Sequence, residues 1–285
     1  MQDLRISLLD RCNFRCPYCM PAAEFTEDYR FLSRSERLSH DEIFRVASIA
    51  VGLGVTKLRI TGGEPLLDKN AVSLVSRLAA LPCLDDLALT TNGVLLAPMA
   101  QSLADAGLHR VTISLDSIDE TVFTQMSGGR GDLGKVFAGI EAAERSGLSP
   151  IKINVVVQRG VNDNGVLDVL ERFRGTGHIV RLIEFMDVGS RNGWSLDQVV
   201  PSKEILKCIQ AKWPLRAVGR NYPGEVASRY QYLDGEGEVG FISSVTEPFC
   251  GTCSRARLSA DGTLYTCLFA TDGTNLRGFL REGED

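Results

Sequence analysis

The stretch Leu4-Arg-Ile-Ser-Leu-Leu-Asp-Arg-Cys-Asn-Phe-Arg-Cys-Pro-Tyr-Cys19 runs from an apolar, strand-like segment at 4–9 straight into three cysteines spaced Cys-x3-Cys-x2-Cys. With 8 Cys in 285 residues, a preset triple of this kind arises by chance about 0.006 times per chain, so the pattern asks for a chemical cause. Soft thiolates suit iron–sulfur clusters, and Cys12, Cys16 and Cys19 on one loop can hold a [4Fe–4S] cube by three of its irons. The fourth iron is then open, as the substrate position of a catalytic metal site is open. Zinc is the competing reading. Zinc sites usually come as C-x2-C pairs completed by a second pair or by His, and His40, His109 and His178 all lie far from this loop in sequence.

A second triplet stands near the other end as Cys250-x2-Cys253 and Cys267. Strand-type residues on both sides of an Asp261-Gly262 turn signal read as a hairpin that returns Cys267 to the other two. Three thiols without a fourth nearby suggest a second cluster with its own open iron. Disulfides are disfavoured because the chain shows neither a signal peptide nor a membrane run and reads as cytoplasmic. Cys83 and Cys208 stand alone and are expected to be small buried apolar residues.

A hydrophobic content of 44% over this length can bury a full α/β core. The net charge of −5 argues against bulk nucleic-acid binding, and no 18-residue apolar run suggests a membrane span. Strand-like runs recur at 4–9, 55–60, 86–90, 111–115, 151–157 and 179–185. Helical patterns fall at 39–54, where Ser39-His-Asp-Glu42 is a capping box, and at 69–81, 98–106, 132–145 and 163–173. Alternation of this kind means a parallel sheet with right-handed crossovers, and six units suit a partial (β/α)6 barrel, TIM-like but incomplete. Polar residues also recur two apart, at Arg5 and Ser7, Arg59 and Thr61, Thr112, Ser114 and Asp116, and Lys152 and Asn154. Residues two apart share a strand face, so the curved sheet encloses a polar, cationic cavity. At the end of the second strand, the paired glycines of Thr61-Gly-Gly-Glu-Pro65 are expected to let the backbone approach a ligand.

Gly-Gly-Glu-Pro one strand after a Cys-x3-Cys-x2-Cys loop resembles the radical S-adenosylmethionine (SAM) superfamily. Asp10–Pro21, Leu58–Pro65, Thr90-Thr-Asn-Gly93, Ser114-Leu-Asp116, Ile183-Glu-Phe-Met-Asp187 and Cys250-Gly-Thr-Cys-Ser-Arg-Ala-Arg257 together resemble, in order, the GTP 3′,8-cyclase family of molybdenum cofactor biosynthesis. The resemblance implies two [4Fe–4S] clusters, on Cys12, Cys16 and Cys19 and on Cys250, Cys253 and Cys267. It implies SAM held at Tyr18, Gly63, Glu64, Ser114 and Met186, and GTP held by Arg5, Arg59, Thr90, Lys152, Arg181, Arg255 and Arg257. It further implies an external one-electron donor, a radical that abstracts the ribose 3′ hydrogen of GTP, closure of C3′ onto C8, and a catalytic part for Arg255 and Arg257. The division expected is a radical SAM barrel at 1–195 and a smaller region for the second cluster and GTP at 196–285, shorter than the family's usual C-terminal part and without its terminal Gly-Gly. A homodimer is compatible with the sequence. Two rivals stand beside this reading: a radical SAM enzyme that modifies peptides and carries an auxiliary cluster, and a zinc-stabilised nucleotide-binding module without redox chemistry.

Overall fold

Apolar side chains at alternate positions bury one face of each early strand, and the polar residues between them are left on the other. In β1 (Asp3–Ser7) Leu4 and Ile6 are buried while Asp3, Arg5 and Ser7 are partly open; β2 (Lys57–Thr61) repeats the pattern with Leu58 and Ile60 against Lys57, Arg59 and Thr61. The computed structural model describes residues 1–188, 192–222 and 224–283. After β1 and α1 (His40–Gly52) the chain alternates through β2, α2 (Ala71–Ala79), β3 (Asp86–Thr91), α3 (Ala100–Asp105), β4 (Arg110–Ser114), α4 (Glu120–Met126), α5 (Leu133–Arg145), β5 (Lys152–Val157), α6 (Val166–Phe173) and β6 (Ile179–Glu184). Strands β1 to β6 pair in sequence order and in parallel, which is the open (β/α)6 arrangement expected.

The helices start where side chains can take up free backbone N–H groups. Ser39 Oγ accepts from Glu42 N at 3.2 Å and Glu42 Oε2 accepts from Ser39 N at 2.6 Å, closing the foreseen capping box. Asp119 and Asp132 cap α4 and α5 through Val122 N and Lys135 N. Ile43, Val46, Ala47, Ala50 and Val51 form the buried stripe of α1. The foreseen 163–173 helix divides into a short 3-10 turn, Asp163–Gly165, and α6.

The last third of the chain adds strands to the barrel sheet itself. After α7 (Ser202–Lys212) come β7 (Leu215–Val218), β8 (Ser228–Tyr232), β9 (Glu238–Ile242), β10 (Arg255–Leu258), β11 (Thr263–Tyr265), β12 (Thr274–Asn275) and α8 (Leu276–Glu282). Strand β9 adds in parallel to β6 and β10 adds in parallel to β1, so both edges of the barrel sheet are occupied by late strands of one 12-stranded sheet. The hairpin read around Asp261-Gly262 is β10–β11, with Arg257 opposite Tyr265 and Gly262 at φ +87°.

Cys83 and Cys208 depart from expectation, since both are exposed. Cys83 sits in the turn after α2 with φ +64°. The buried stripe of α7 is Ser202, Ile205 and Ile209, and Cys208 lies off it. No helix among the described residues is long and apolar enough to cross a membrane. Loss of the capping box should be measurable: Ser39→Ala is expected to lower stability by about 1 kcal/mol in urea unfolding, with m unchanged.

Candidate active site

The loop after β1 is gripped by backbone on two sides. Leu8 N donates to Thr61 O at 3.0 Å, Gly63 N to Leu9 O at 2.7 Å and Glu64 N to Arg11 O at 2.8 Å, so the Gly-Gly loop zips onto the cysteine loop. A Cβ on Gly63 would lie 2.0 Å from Arg11 O, and one on Gly62, at φ +149°, would lie 2.6 Å from Leu9 O. The paired glycines therefore serve loop-on-loop contact, and both also line the cavity described next. On the other side Arg15 N donates to Ser127 O at 3.1 Å, and a Cβ on Gly128 would meet Arg15 O at 2.0 Å. The Arg15 guanidinium ties the loop internally through Cys12 O and Phe14 O.

This grip brings Cys12, Cys16 and Cys19 to one cavity of about 210 Å³ that is also lined by Tyr18, Gly63, Glu64, Ser114 and Asp116. Glu64 is a brace. Its buried carboxylate accepts from Leu66 N, from Thr91 Oγ1 at 2.8 Å and from Asn92 N at 2.8 Å, which pulls the end of β3 against the loop. Asn92 then donates to Asn13 Oδ1 at 2.7 Å and reaches Cys12 Sγ at 3.9 Å. The sequence reading quoted Asn92 within Thr90-Thr-Asn-Gly93 without a role; an amide directly after a barrel strand was the available signal. Tyr18 donates to Asp116 Oδ2 at 2.7 Å, and Val156 N donates to Asp116 Oδ1. Burial raises the Asp116 pKa to about 6 against these two hydrogen bonds.

A second cavity of about 430 Å³ adjoins the first, and Thr61 and Thr90 line both. Arg5, Arg59, Arg181, Arg255, Arg257 and Met186 line it, together with Cys250, Cys253 and Cys267. Strand register explains the convergence. Arg257, Arg5 and Arg59 are direct neighbours across β10, β1 and β2, and Arg181 on β6 stands opposite Asn154 on β5. Lys152 is apart from this lining: it faces inward two residues before Asn154, opposite Thr112. Among the described residues none of these five arginines, nor Lys152, forms an ion pair. Arg59 and Arg181 hydrogen-bond only to neutral Thr112 and Asn154, and the Nε groups of Arg5, Arg59 and Arg255 are buried without a partner. Burial first, and then the neighbouring guanidiniums, lowers the pKa of Arg5, of Arg181 to about 9 and of Lys152 to about 7. Lys57, whose ammonium lies 3.0 Å from the Tyr222 ring centroid, extends this set beneath Arg59; sequence reading missed it, although it shares Arg59's strand face.

Both thiol triplets have the donor chemistry of cluster sites. Phe14 N donates to Cys12 Sγ at 3.3 Å, yet burial raises the Cys12 pKa to about 11, so a cationic centre is needed to hold it as thiolate. Cys253 differs. Burial acts to raise its pKa, but hydrogen bonds from Arg255 and the charges of Arg255 and Arg257 outweigh it and leave the thiol below its usual value. Among the described residues no three His, Cys, Asp or Glu side chains close on a single metal ion; a cube spreads its thiolates, one to an iron.

The Radical SAM superfamily pattern matches residues 6–173, and Molybdenum Cofactor Synthesis C matches 178–285. The GTP 3′,8-cyclase of Xanthomonas campestris pv. campestris (strain B100) is 56% identical over 284 residues, covering 100% of this chain and 84% of that protein. The chain belongs to the GTP 3′,8-cyclase family. Similar relatives of the same name come from Acidothermus cellulolyticus, at 50% identity over 100% of this chain and 79% of that one, and Staphylococcus saprophyticus, at 45% over 99% and 83%. Among solved structures, Streptococcus suis SuiB bound to S-adenosylmethionine has the same fold with a TM-score of 0.69 at 12% identity, covering 99% of this chain and 65% of that one. AdoMet-bound anSMEcpe gives 0.63 at 17%, over 95% and 76%. Membership of the superfamily carries with it one [4Fe–4S] cluster and SAM.

The loop zip supplies a prediction. Gly63→Ala should force the cysteine loop away from β2, costing roughly 1–3 kcal/mol of apo-protein stability by thermal unfolding, and should sharply lower iron retained after reconstitution; unchanged values for both would contradict the geometry.

Proposed function

We propose that this chain converts GTP to (8S)-3′,8-cyclo-7,8-dihydroguanosine 5′-triphosphate, an early step of molybdenum cofactor biosynthesis. The observation that carries the reading is the arginine-lined cavity, whose guanidiniums form no ion pair among the described residues, joined through Thr61 and Thr90 to the cavity of the Cys12, Cys16 and Cys19 loop. A triphosphate is the kind of ligand that such a cavity stabilises, because fixed guanidiniums in a low-dielectric site gain most from a polyanion. Arg5, Arg59, Arg181, Arg255 and Arg257 bind it, Thr90 lies at the junction, and Lys152 and Lys57 add charge from beneath. Cys12, Cys16 and Cys19 hold the first cluster; Tyr18, Gly63, Glu64 and Ser114 shape the SAM side, and Met186 closes from the nucleotide side. With an external one-electron donor, the bound cluster and SAM supply radical hydrogen abstraction. The protein's part is to hold the ribose near the junction and to exclude water. Cys250, Cys253 and Cys267 would hold a second [4Fe–4S] cluster, which would offer an open iron to the guanine, and Arg255 and Arg257 beside it would stabilise the cyclised product as it forms.

Anaerobic incubation with GTP, SAM and dithionite should yield 5′-deoxyadenosine and the cyclised nucleotide by mass analysis. Cys16→Ala should abolish both. Cys253→Ala should keep some 5′-deoxyadenosine and lose the cyclised nucleotide; conversion by that variant at the parent rate would exclude the second cluster's role.

Lys152 gives a pH signature. With a folded pKa of about 7 against an ordinary 10.5, it is largely neutral at a pH one unit above 7, and a bound triphosphate raises the pKa again. GTP binding there should take up a proton, so affinity should fall as pH rises from 7. Calorimetry in two buffers of different ionisation enthalpy should show the uptake, and Lys152→Met should remove it.

A further inference from the structure

Glu184, the last residue of β6, is buried, 1% exposed, and faces away from the cavity. Its carboxylate gathers five donors from two separate segments. Oε1 accepts from Ser202 N at 2.8 Å, Ser202 Oγ at 3.0 Å and Thr246 Oγ1 at 2.5 Å. Oε2 accepts from Val245 N at 2.9 Å and Thr246 N at 2.8 Å. Ser243 Oγ donates onward to Ser202 Oγ at 2.8 Å. Burial acts to raise the Glu184 pKa, and the hydrogen bonds from Thr246, Ser202 and Val245 overcome it and hold it below the usual carboxylate range.

The segment held in this way is a wall of the nucleotide cavity. Ile242, Ser244, Pro248, Phe249 and Cys250 line it on one side of the tether, while Ile183 and Met186 line it next to Glu184 itself. Strand β9 ends at Ile242 and β10 begins at Arg255, with Ser254 O already accepting from Gln2 N and Asp3 N of the β1 side, so no sheet pairing holds residues 243–253. We infer that Glu184 is a positioning residue: it sets the 243–250 wall, and with it Cys250, against the β6 end that carries Met186, and so tunes nucleotide binding separately from SAM binding. This rests on the reading of the cavity as the GTP site.

A Glu184→Gln side chain keeps the shape and has one acceptor oxygen in place of two. Whichever way the amide turns, its NH2 faces backbone N–H donors, either Ser202 N or those of Val245 and Thr246, and leaves them buried and unpaired. In hydrogen–deuterium exchange of the cluster-loaded protein, amides 243–250 should exchange about tenfold faster in Glu184→Gln, and amides 12–20 should stay within about twofold of the parent. By calorimetry GTP affinity should fall about tenfold and SAM affinity should stay within about twofold. Thr246→Val, which removes one hydroxyl, should shift the same readouts in the same direction by less, and decides the question if Glu184→Gln does not fold. Unchanged exchange at 243–250, or an equal loss of both affinities, would overturn the inference. If the parent protein does not bind GTP, the proposed function fails, and the exchange result still judges the tether.

Discussion

Three arginines stand abreast on three neighbouring parallel strands. Arg257, Arg5 and Arg59 occupy directly paired positions, where like charges oppose folding. One layer down, the same strands and β3 carry Arg255, Asp3, Lys57 and Asp86, which alternate in sign across the sheet. The lower layer thus alternates in sign and the upper layer does not. Burying an uncompensated charge costs several kcal/mol, and the sheet tolerates it because the opposite faces of the same strands bury Leu4, Ile6, Leu58, Ile60, Ala256 and Leu258. The positive potential left over is directed into the cavity.

The neighbouring cavity is built from backbone fit. Gly62, Gly63 and Gly128 each stand where a side chain would strike the cysteine loop's own peptide groups, and Glu64 spends its carboxylate on the end of β3. The three thiols are placed by these contacts, since the loop from Asp10 to Leu38 has no helix or strand of its own. The second thiol triplet lies in exposed turns, with a guanidinium at Cys253. The two triplets differ accordingly: the first is desolvated and needs its metal to ionise, while in the second Cys253 is already drawn toward thiolate by Arg255 and Arg257.

Much of the site was legible because a strand has a period of two. Arg5, Arg59 and Asn154 were read as sharing an inner face from spacing alone, and burial alternates along their strands as that reading requires. Lys57 obeys the same parity within the 55–60 run but was not singled out. Glu184 could not be found this way. Its outward face looks like that of any strand-end carboxylate, and its five donors come from segments far along the chain.

The sequence alone determined the six β/α units, the two cysteine triplets, the β10–β11 hairpin and the polar inner face, all of which follow from local periodicity, turn chemistry and spacing. Tertiary structure alone decided that β10 pairs with β1 and β9 with β6. Those pairings join residues more than 50 positions apart through backbone hydrogen bonds, which no side-chain pattern encodes. They bring Arg255 and Arg257 beside Arg5 and place the second triplet on the arginine-lined cavity. They also make the late strands part of the barrel wall, because an unpaired strand edge must be covered and here the chain's own C-terminal strands cover it.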